Sequence, residues 1–266
     1  MSARSFFSRG VAERVRAVLA DRRARLLLAF DLDGTLAPLV SRPGLARVPA
    51  ARLALLGRAA AAPNVRVALL SARRLRDLRR LAPVRGVLRA GLYGLEGPVA
   101  PLTPAGRRRA RRAVAALLPR LAPLAARYRG AWIEAKGMTV AVHDLAASPG
   151  SRLALRTALA RIAPRARRAG LAVAHGRCVT EFLPRGVDKG RALRAIRRRG
   201  GADVVFFFGD SPGDEPAFAA LGPGDFAVRV GAGPTRATHR VRGPGEVTRF
   251  LRAVIALRSG PARKRR

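Results

Sequence analysis

The chain has 266 residues, 49% of them hydrophobic, and its 53 lysines and arginines outnumber its 16 aspartates and glutamates to give a formal net charge of +37. This hydrophobic content excludes a disordered chain, and no apolar run approaches the ~18 residues of a membrane-spanning helix. A single cysteine, Cys178, excludes an intrachain disulfide, and residues 1–25 lack the apolar core of a secretory signal, so we expect a cytoplasmic protein.

The positive charge permits two interpretations. Strongly basic chains often bind nucleic acid or another anionic surface. Here, arginine is spread along the whole chain and only three lysines occur, Lys136, Lys189 and Lys264, as a GC-biased coding sequence would produce. Aromatic residues do not interleave with the arginine runs, so we expect no specific nucleic-acid partner. The lack of a long apolar run likewise predicts no membrane partner. Only nonspecific, salt-dependent binding of polyanions is expected.

Helix and strand patterns alternate in the first hundred residues. An amphipathic helix over 8–23 precedes the apolar run Leu26–Phe30, which is typical of a buried strand in a parallel sheet. The elements that follow are predicted as a helix at 50–62, a strand at 65–70, a helix with its core side at Leu75, Leu78 and Leu81, and a strand at 87–92. This order predicts an α/β fold.

Two carboxylates come directly after the first strand, at Asp31 and Asp33. Residues i and i+2 of an extended chain point to the same side, and open α/β sheets bind their ligands at the carboxyl ends of strands. Two like charges this close need a cation or a shared proton, and Mg²⁺ prefers oxygen ligands. Asp and Gly are also common in turns. The whole run from Asp31 to Leu36, however, resembles the nucleophile motif of the haloacid dehalogenase superfamily.

A serine, Ser71, ends the second core strand and starts a helix. Serine is an ordinary helix N-cap, so this position alone has a structural explanation. A hydroxyl and free helix N–H groups that point the same way also form an anion site. In the superfamily that the Asp31 motif resembles, a Ser or Thr at this position contacts phosphate.

The pattern changes after Pro98. A helix at 104–128, strands at 131–136 and 138–143, a helix at 151–168, and strands at 171–174 and 177–183 indicate an inserted α+β unit. We predict a Rossmann-like parallel-sheet haloacid dehalogenase core over 25–98 and 185–258, an α+β cap domain over 99–184, an N-terminal helix or extension over 1–24, and a basic tail over 259–266.

The core pattern resumes at Lys189, which opens a helix. Lysine is a compact point charge suited to phosphate oxygens. The apolar run Val204–Phe208 then predicts a buried strand, and Asp210 and Asp214 follow it. These two residues have a simple interpretation as turn and N-cap residues, but their position favours completion of the magnesium site. A strand at 226–230 and a helix at about 246–257 finish the core.

The whole series of motifs resembles the trehalose-6-phosphate phosphatase family over about residues 26–257. Besides the Asp31 and Ser71 motifs, the cap carries Glu134-Ala135-Lys136 followed by His143, and later Glu181-Phe182-Leu183-Pro184, which leads into Lys189-Gly190. Without the resemblance, two interpretations of these charged strand residues have equal weight: a binding site, or a sheet face that is simply solvated. The last motif of the family series runs from Gly209 to Glu215 in this chain.

The resemblance implies an Mg²⁺-dependent phosphatase that converts trehalose 6-phosphate to trehalose and phosphate through an aspartyl-phosphate. It implies Asp31 as nucleophile, Asp33 as acid and base, and Lys189 as a catalytic charge. The implied phosphate contacts are Gly34, Thr35, Ser71, Ala72 and Lys189, and the implied sugar contacts are Arg73, Glu134, Lys136, His143 and Glu181. The implied metal ligands are Asp31, Asp33 through its backbone carbonyl, Asp210 and Asp214.

Several positions depart from the family pattern, and two alternatives therefore stay open. Ala72 replaces a glycine, Tyr93 a histidine, Leu145 an arginine, and Ser211 and Gly213 an aspartate and a threonine. One alternative is a related phosphatase for another sugar phosphate, of the sucrose-phosphate or mannosyl-phosphoglycerate type. The other is a basic, nucleic-acid-associated protein without catalytic activity.

Overall fold

A computed structural model describes residues 3–40, 42–176 and 178–259. The start of the predicted N-terminal extension and nearly all of the predicted basic tail lie outside these residues. The elements in chain order are β1 (Arg4–Ser5), α1 (Arg9–Ala20), β2 (Leu26–Phe30), α2 (Ala50–Ala60), β3 (Val65–Leu70), α3 (Leu75–Leu81), β4 (Val87–Ala90), α4 (Pro104–Arg127), β5 (Trp132–Ala135), β6 (Val140–His143), α5 (Pro149–Arg168), β7 (Leu171–Gly176), β8 (Val179–Pro184), α6 (Lys189–Gly200), β9 (Val204–Gly209), α7 (Glu215–Phe218), β10 (Phe226–Val230), β11 (His239–Val241) and α8 (Pro244–Arg258).

The chain divides into two compact units. The core unit comprises residues 1–99, 189–210 and 214–266, and the inserted unit comprises residues 100–188 and 211–213. The parallel α/β core and the separate α+β unit were both expected, and this fold class is confirmed. The boundaries that we assign to core and cap stay a prediction.

The core unit is built on a parallel sheet with strand order β1-β11-β10-β9-β2-β3-β4 among the described residues. Strand β2 lies inside the sheet, between β9 and β3, and every one of its residues is buried. Alternate side chains enter two hydrophobic layers. Leu26, Leu28 and Phe30 pack with helices α1, α2, α3 and α8 on one face, whereas Leu27 and Ala29 pack with α6 and α7 on the other. Burial on both faces explains the unbroken apolar run in the sequence.

The inserted unit pairs an antiparallel sheet, with strand order β5-β6-β8-β7, with two helices. Val140, Val142 and Phe182 project from one face of this sheet and pack against buried residues of α4 and α5. The other face carries the residues in between, among them Glu134, Ala141 and Glu181, which are joined by direct strand pairing. Because side chains alternate along a strand, the inserted unit has one apolar sheet face and one polar sheet face.

Few acidic side chains are exposed at the surface of the protein. Within the described residues, the exposed acidic side chains are Glu13, Asp21 and Asp203, and the other acidic residues are buried or half-buried. Helices α4 and α5 contain no acidic residue, although both carry several arginines. The solvent-facing charge is therefore almost entirely positive. Among the helices that the structure describes, none is long and apolar enough to span a membrane.

His239 is a buried histidine on β11, two strands away from β9 in the sheet. Its ring lies 6.0 Å from that of Phe6 and 5.5 Å from that of Phe226. Burial lowers the pKa of His239, and the charge of Arg14 lowers it further. The folded protein therefore holds this imidazole neutral at a pH where an unfolded chain, with a pKa near ~6.5, would bind a proton.

We expect His239 to make the protein less stable as the pH falls below about 6.5. The unfolded chain then binds one proton more, so the stabilisation present above that pH is lost as the pH falls toward the lowered pKa of the folded state. Chemical denaturation from pH 8 to pH 5 should give a wild-type curve steeper than that of His239→Gln by at most about 1.4 kcal/mol per pH unit. Equal slopes for wild type and His239→Gln would contradict the prediction.

Candidate active site

The carboxyl ends of neighbouring parallel strands bring together the residues that the sequence analysis singled out. Strand β2 pairs with β3 on one side and with β9 on the other. The chain runs outward in opposite directions from this point, and such a switch in strand order opens a crevice at the carboxyl edge of an α/β sheet. Asp31 follows β2, Ser71 follows β3 and Asp210 follows β9, while Lys189 begins helix α6.

Three carboxylates and one ammonium group form the centre of this crevice. Oxygen atoms of Asp31, Asp210 and Asp214 all lie within 4.8 Å of one another. The Nζ atom of Lys189 lies 2.8 Å from Oδ1 of Asp31 and 2.6 Å from Oδ1 of Asp214. Asp31, Asp214 and Lys189 are buried, and Asp210 is half-buried. One lysine cannot balance three carboxylates, so the cluster attracts further positive charge.

The crowding of these groups changes their proton affinities. Burial raises the pKa of Asp31 well above its ordinary value, and Lys189 opposes that shift. Burial and the neighbouring Asp214 raise the pKa of Asp210 to about 7. Burial alone would lower the pKa of Lys189, but Asp214 and Asp31 raise it above its ordinary value. The lysine therefore stays charged, and the carboxylates are in an environment that a cation would stabilise in the ionised form.

Gly34 allows Asp210 to reach this cluster. It has a φ of +76°, and a Cβ atom at this position would overlap the carboxyl group of Asp210. Gly231 has a similar φ of +81° but open space where its Cβ would be. The two glycines therefore separate the effect of backbone conformation from that of the close contact.

We expect Gly34→Ala to lower the free energy of unfolding by about 2 kcal/mol or more, from the left-handed backbone together with the steric overlap. Gly231→Ala should lower it by only about 1 kcal/mol, because only the backbone effect applies. Chemical denaturation of both variants measures the difference. Equal losses would mean that the carboxyl group of Asp210 moves away without strain.

Asp33 is bound by an arginine instead of joining the carboxylate cluster. Its two carboxylate oxygens accept hydrogen bonds from Arg73, one from Nε at 2.7 Å and one from NH2 at 2.8 Å. Such a bidentate pair fixes the direction of the carboxylate. Arg73, which the resemblance assigns to the sugar, thus contacts an acidic residue 40 positions earlier in the chain.

Hydroxyl and N–H groups surround the same strand ends. Within the described residues, the buried Oγ1 of Thr35 has no hydrogen-bond partner, and Oγ of Ser71 accepts a hydrogen bond from the backbone N of Arg73 at 3.2 Å. Ala72 lies between Ser71 and Arg73 in the same turn. An unpartnered buried hydroxyl beside a strand-to-helix turn is the kind of arrangement that binds an anion.

Glu96 is a site-supporting residue whose role the sequence analysis does not predict. Its Oε2 accepts a hydrogen bond from the backbone N of Leu75, 2.6 Å away, at the first turn of α3. The turn after β4 is strained, because Leu92 and Tyr93 both have positive φ values, 48° and 59°. This turn is anchored to the site, since the backbone N of Tyr93 donates to the carbonyl of Ser71 at 2.9 Å.

The predicted sugar contacts of the inserted unit form a connected polar network. Nε2 of His143 lies 3.0 Å from Oε2 of Glu134, and the same carboxylate lies 3.6 Å from Nζ of Lys136. Lys136 in turn donates to Glu181 at 3.0 Å, and Glu181 accepts a second hydrogen bond from Oγ1 of Thr139 at 2.7 Å. The network lies on the polar sheet face.

Two residues of this face, Thr139 and Trp132, are not predicted from the sequence. The alternation of side chains along each strand is the signal that could have found them. Trp132 stands two positions before Glu134, and Thr139 stands two positions before Ala141, which pairs with Glu181. Residues at this spacing share a face of the sheet.

Known proteins are similar to this chain in fold and in sequence. The solved C-terminal domain of a trehalose-6-phosphate phosphatase from C. albicans matches 91% of this chain and 97% of its own with a TM-score of 0.75 and 18% identity. A haloacid dehalogenase-like hydrolase from Bacteroides thetaiotaomicron matches 86% of this chain and 98% of its own with a TM-score of 0.58 and 15% identity. The protein therefore has the fold of the haloacid dehalogenase-like phosphatases, a parallel α/β core with an α+β cap.

Sequence relatives identify the family. The trehalose-phosphatase family model matches residues 29–244. The trehalose-6-phosphate phosphatase of Escherichia coli is 35% identical over 85% of either chain. A trehalose-phosphate phosphatase of Mycobacterium ulcerans is 34% identical over 83% of this chain, which spans 59% of that relative's length. The chain belongs to the trehalose-phosphatase family, and it is a phosphatase enzyme.

Proposed function

We propose that the protein hydrolyses trehalose 6-phosphate to trehalose and phosphate, with Asp31 as the nucleophile. The observation that carries the proposal is the buried contact of Asp31 with Lys189 beside two further carboxylates, in a chain of the trehalose-phosphatase family. A carboxylate at the carboxyl end of an interior strand can attack the phosphorus of a phosphate ester bound there. This is a known form of nucleophilic catalysis by Asp.

The donor set fits a hard divalent cation. Asp31, Asp210 and Asp214 offer carboxylate oxygens within 4.8 Å of one another, and they include no nitrogen or sulfur donor. Oxygen ligands of this kind suit Mg²⁺, which is usually held by one or two carboxylates together with substrate phosphate. We assign these three side chains and the backbone carbonyl of Asp33 as its ligands. When bound, Mg²⁺ would supply positive charge to the carboxylates and to the phosphate oxygens.

Two residues carry the bond changes. A carboxylate oxygen of Asp31 forms a bond to phosphorus while the bond from phosphorus to the sugar oxygen breaks, and Asp33 gives a proton to that leaving oxygen. Asp33 then takes a proton from water, which attacks phosphorus, frees Asp31 and releases phosphate. Because Arg73 binds both carboxylate oxygens of Asp33, we infer that this pair must separate before Asp33 can contact the leaving oxygen.

The remaining groups of the core unit neutralise and orient the phosphoryl group. Lys189 supplies a permanent positive charge next to the attacking carboxylate. We assign the unpartnered hydroxyl of Thr35, the Ser71 hydroxyl and the backbone N–H of Ala72 to the phosphoryl oxygens. Fixed donors of this kind act on the charge that spreads over those oxygens during transfer. Gly34, which the resemblance also implies as a phosphate contact, donates its N–H to the carbonyl of Ala37 at 2.8 Å.

The polar network of the inserted unit is assigned to the sugar. Glu134, Lys136, His143 and Glu181 supply both donors and acceptors, as the hydroxyls of a disaccharide require. A sugar that lacked a matching hydroxyl would leave such groups unpaired, which gives selectivity. The reaction would thus use a small sugar phosphate as substrate. It would need neither a nucleic-acid partner nor a membrane partner.

A substrate panel tests the proposal. Phosphate release is measured from trehalose 6-phosphate, glucose 6-phosphate, sucrose 6-phosphate and an aryl phosphate, with Mg²⁺ and after chelation. We expect Mg²⁺-dependent release that is fastest from trehalose 6-phosphate. Preference for sucrose 6-phosphate would overturn the substrate, and release that survives chelation would overturn the role of the metal. Activity on none of the four would overturn the whole proposal.

We expect Glu134→Gln to raise the KM for trehalose 6-phosphate about tenfold or more, since a hydrogen bond to a charged group is lost. Its kinetics with the aryl phosphate should not change, because that substrate has no sugar. Steady-state assays of both substrates make the comparison. Glu13→Gln is the control, as it removes an acidic residue from an exposed pair with Arg9 on α1. A parallel loss with both substrates would contradict the assignment of Glu134 to the sugar.

A further inference from the structure

Trp132 makes a contact that the proposed chemistry does not use. Its indole ring stacks on the imidazole of His143, with ring centroids 4.0 Å apart and an interplanar angle of 9°. The two residues are direct partners across β5 and β6. Direct partners in antiparallel strands project from the same face of the sheet. The stack therefore lies on the polar face, at one end of the network that continues through Glu134.

His143 needs such a neighbour more than the other members of the network do. Lys136 lies between two carboxylates, and Glu181 accepts two hydrogen bonds. Within the part of the chain that the structure describes, the imidazole of His143 has one hydrogen bond, from Nε2 to Glu134. One such bond fixes one ring atom but not the ring plane, and the terminal torsion of histidine is broad. A parallel aromatic ring restricts that plane.

The position of Trp132 does not suit a purely structural role. The buried apolar cluster of the inserted unit packs on the opposite face of the sheet, against α4 and α5. Trp132 belongs to the polar face and stays 38% exposed. An aromatic ring that is exposed among convergent polar groups is typical of a binding site for a small molecule.

We propose that Trp132 is a positioning residue of the sugar site, whose indole holds the His143 ring so that its nitrogens meet Glu134 and a hydroxyl of the disaccharide in fixed directions. The inference rests on the proposed function, because it assigns Trp132 to the sugar half of the same substrate. It adds a residue that acts through His143 and takes no part in phosphoryl transfer.

Kinetics of Trp132→Ala and Trp132→Phe with two substrates test this role. Trp132→Ala should raise the KM for trehalose 6-phosphate about 3- to 10-fold, the range that corresponds to loss of one aromatic pair. Its kcat should change little, and its kinetics with the aryl phosphate should stay those of the wild type. Trp132→Phe should restore most of the KM, since a phenyl ring can still stack. Leu153→Ala, which removes an exposed apolar side chain from α5, is the control and should change nothing.

Two further readouts separate positioning from general destabilisation. In a His143→Ala background, Trp132→Ala should have no further effect on the KM for trehalose 6-phosphate, because Trp132 acts through His143. Trp132 is also the only tryptophan of the chain, so its fluorescence reports this stack directly. Titration of the wild type with trehalose, which needs no turnover, should change the emission in a saturable way.

Each result bears on the inference in one direction. A KM that Trp132→Ala leaves unchanged overturns it while the proposed function stands. Equal losses with both substrates also overturn it, since they indicate damage to the whole protein. Additive effects of the two substitutions would mean that Trp132 does not act through His143. A wild-type enzyme that releases no phosphate from trehalose 6-phosphate overturns the proposed function, and the inference falls with it.

Discussion

Asp31→Asn should reduce phosphate release from trehalose 6-phosphate by about 10³-fold or more, because an amide cannot form the bond to phosphorus that the proposed mechanism requires. The replacement keeps the size of the side chain. It also removes one of three crowded carboxylates. Burial of Asp31 raises its pKa in the folded protein, so its negative charge is unfavourable there. We therefore expect the variant to be folded and at least as stable as the wild type.

The measurement is steady-state phosphate release, with thermal unfolding as a test of integrity. Asp203→Asn is the matched control: this aspartate lies just before β9, and so at the opposite end of that strand from Asp210, and it is paired with Arg25. Its replacement should leave turnover unchanged. A folded Asp31→Asn variant that retained a tenth of the wild-type activity would exclude Asp31 as the nucleophile.

Asp33→Asn should have the second largest effect, a loss of about 10²- to 10⁴-fold in kcat with the sugar phosphate, as is usual when a general acid and base is removed. The two half-reactions should be affected differently. A sugar alkoxide is a poor leaving group and needs the proton from Asp33, whereas an aryl oxide can leave without it. The second half-reaction needs Asp33 as the base for water with either substrate.

Rapid-mixing kinetics with the aryl phosphate can observe this difference. Asp33→Asn should release aryl alcohol in a burst of about one equivalent per enzyme, followed by slow turnover, because the phosphorylated enzyme accumulates. The wild type supplies the reference and should show rapid turnover. Slow release of aryl alcohol from the first turnover onward would contradict the role of Asp33 in the second step and would suggest that it orients the substrate.

The central part of the fold could be predicted because local signals are strong there. Strands β2, β3 and β10 lie at the predicted residues, since burial on both faces requires continuous apolar runs. Strands β1 and β11 were missed, because two or three residues carry no periodicity. They are held by pairing with each other and with β10, which only the folded sheet provides.

The candidate site divides in the same way. The strand ends that carry Asp31 and Asp210 could be predicted, because a run of apolar residues precedes each of them. The pairing of Arg73 with Asp33 and the stack of Trp132 on His143 could not be predicted, because each depends on which strands are neighbours and in what register. Motifs thus identified the reactive residues, whereas the partners that orient them required the folded chain.

The exposed positive charge has a consequence for the rate at which substrate arrives. With few acidic side chains at the surface, the field around the protein attracts a doubly charged sugar phosphate from a distance set by the Debye length, about 10 Å at 0.1 M salt. Attraction of this kind speeds diffusional encounter and weakens as salt screens it. Added salt should therefore lower kcat/KM, which contains the encounter step, more than it lowers kcat. The same field retains the departing phosphate ion, so dilute buffers should favour inhibition by product.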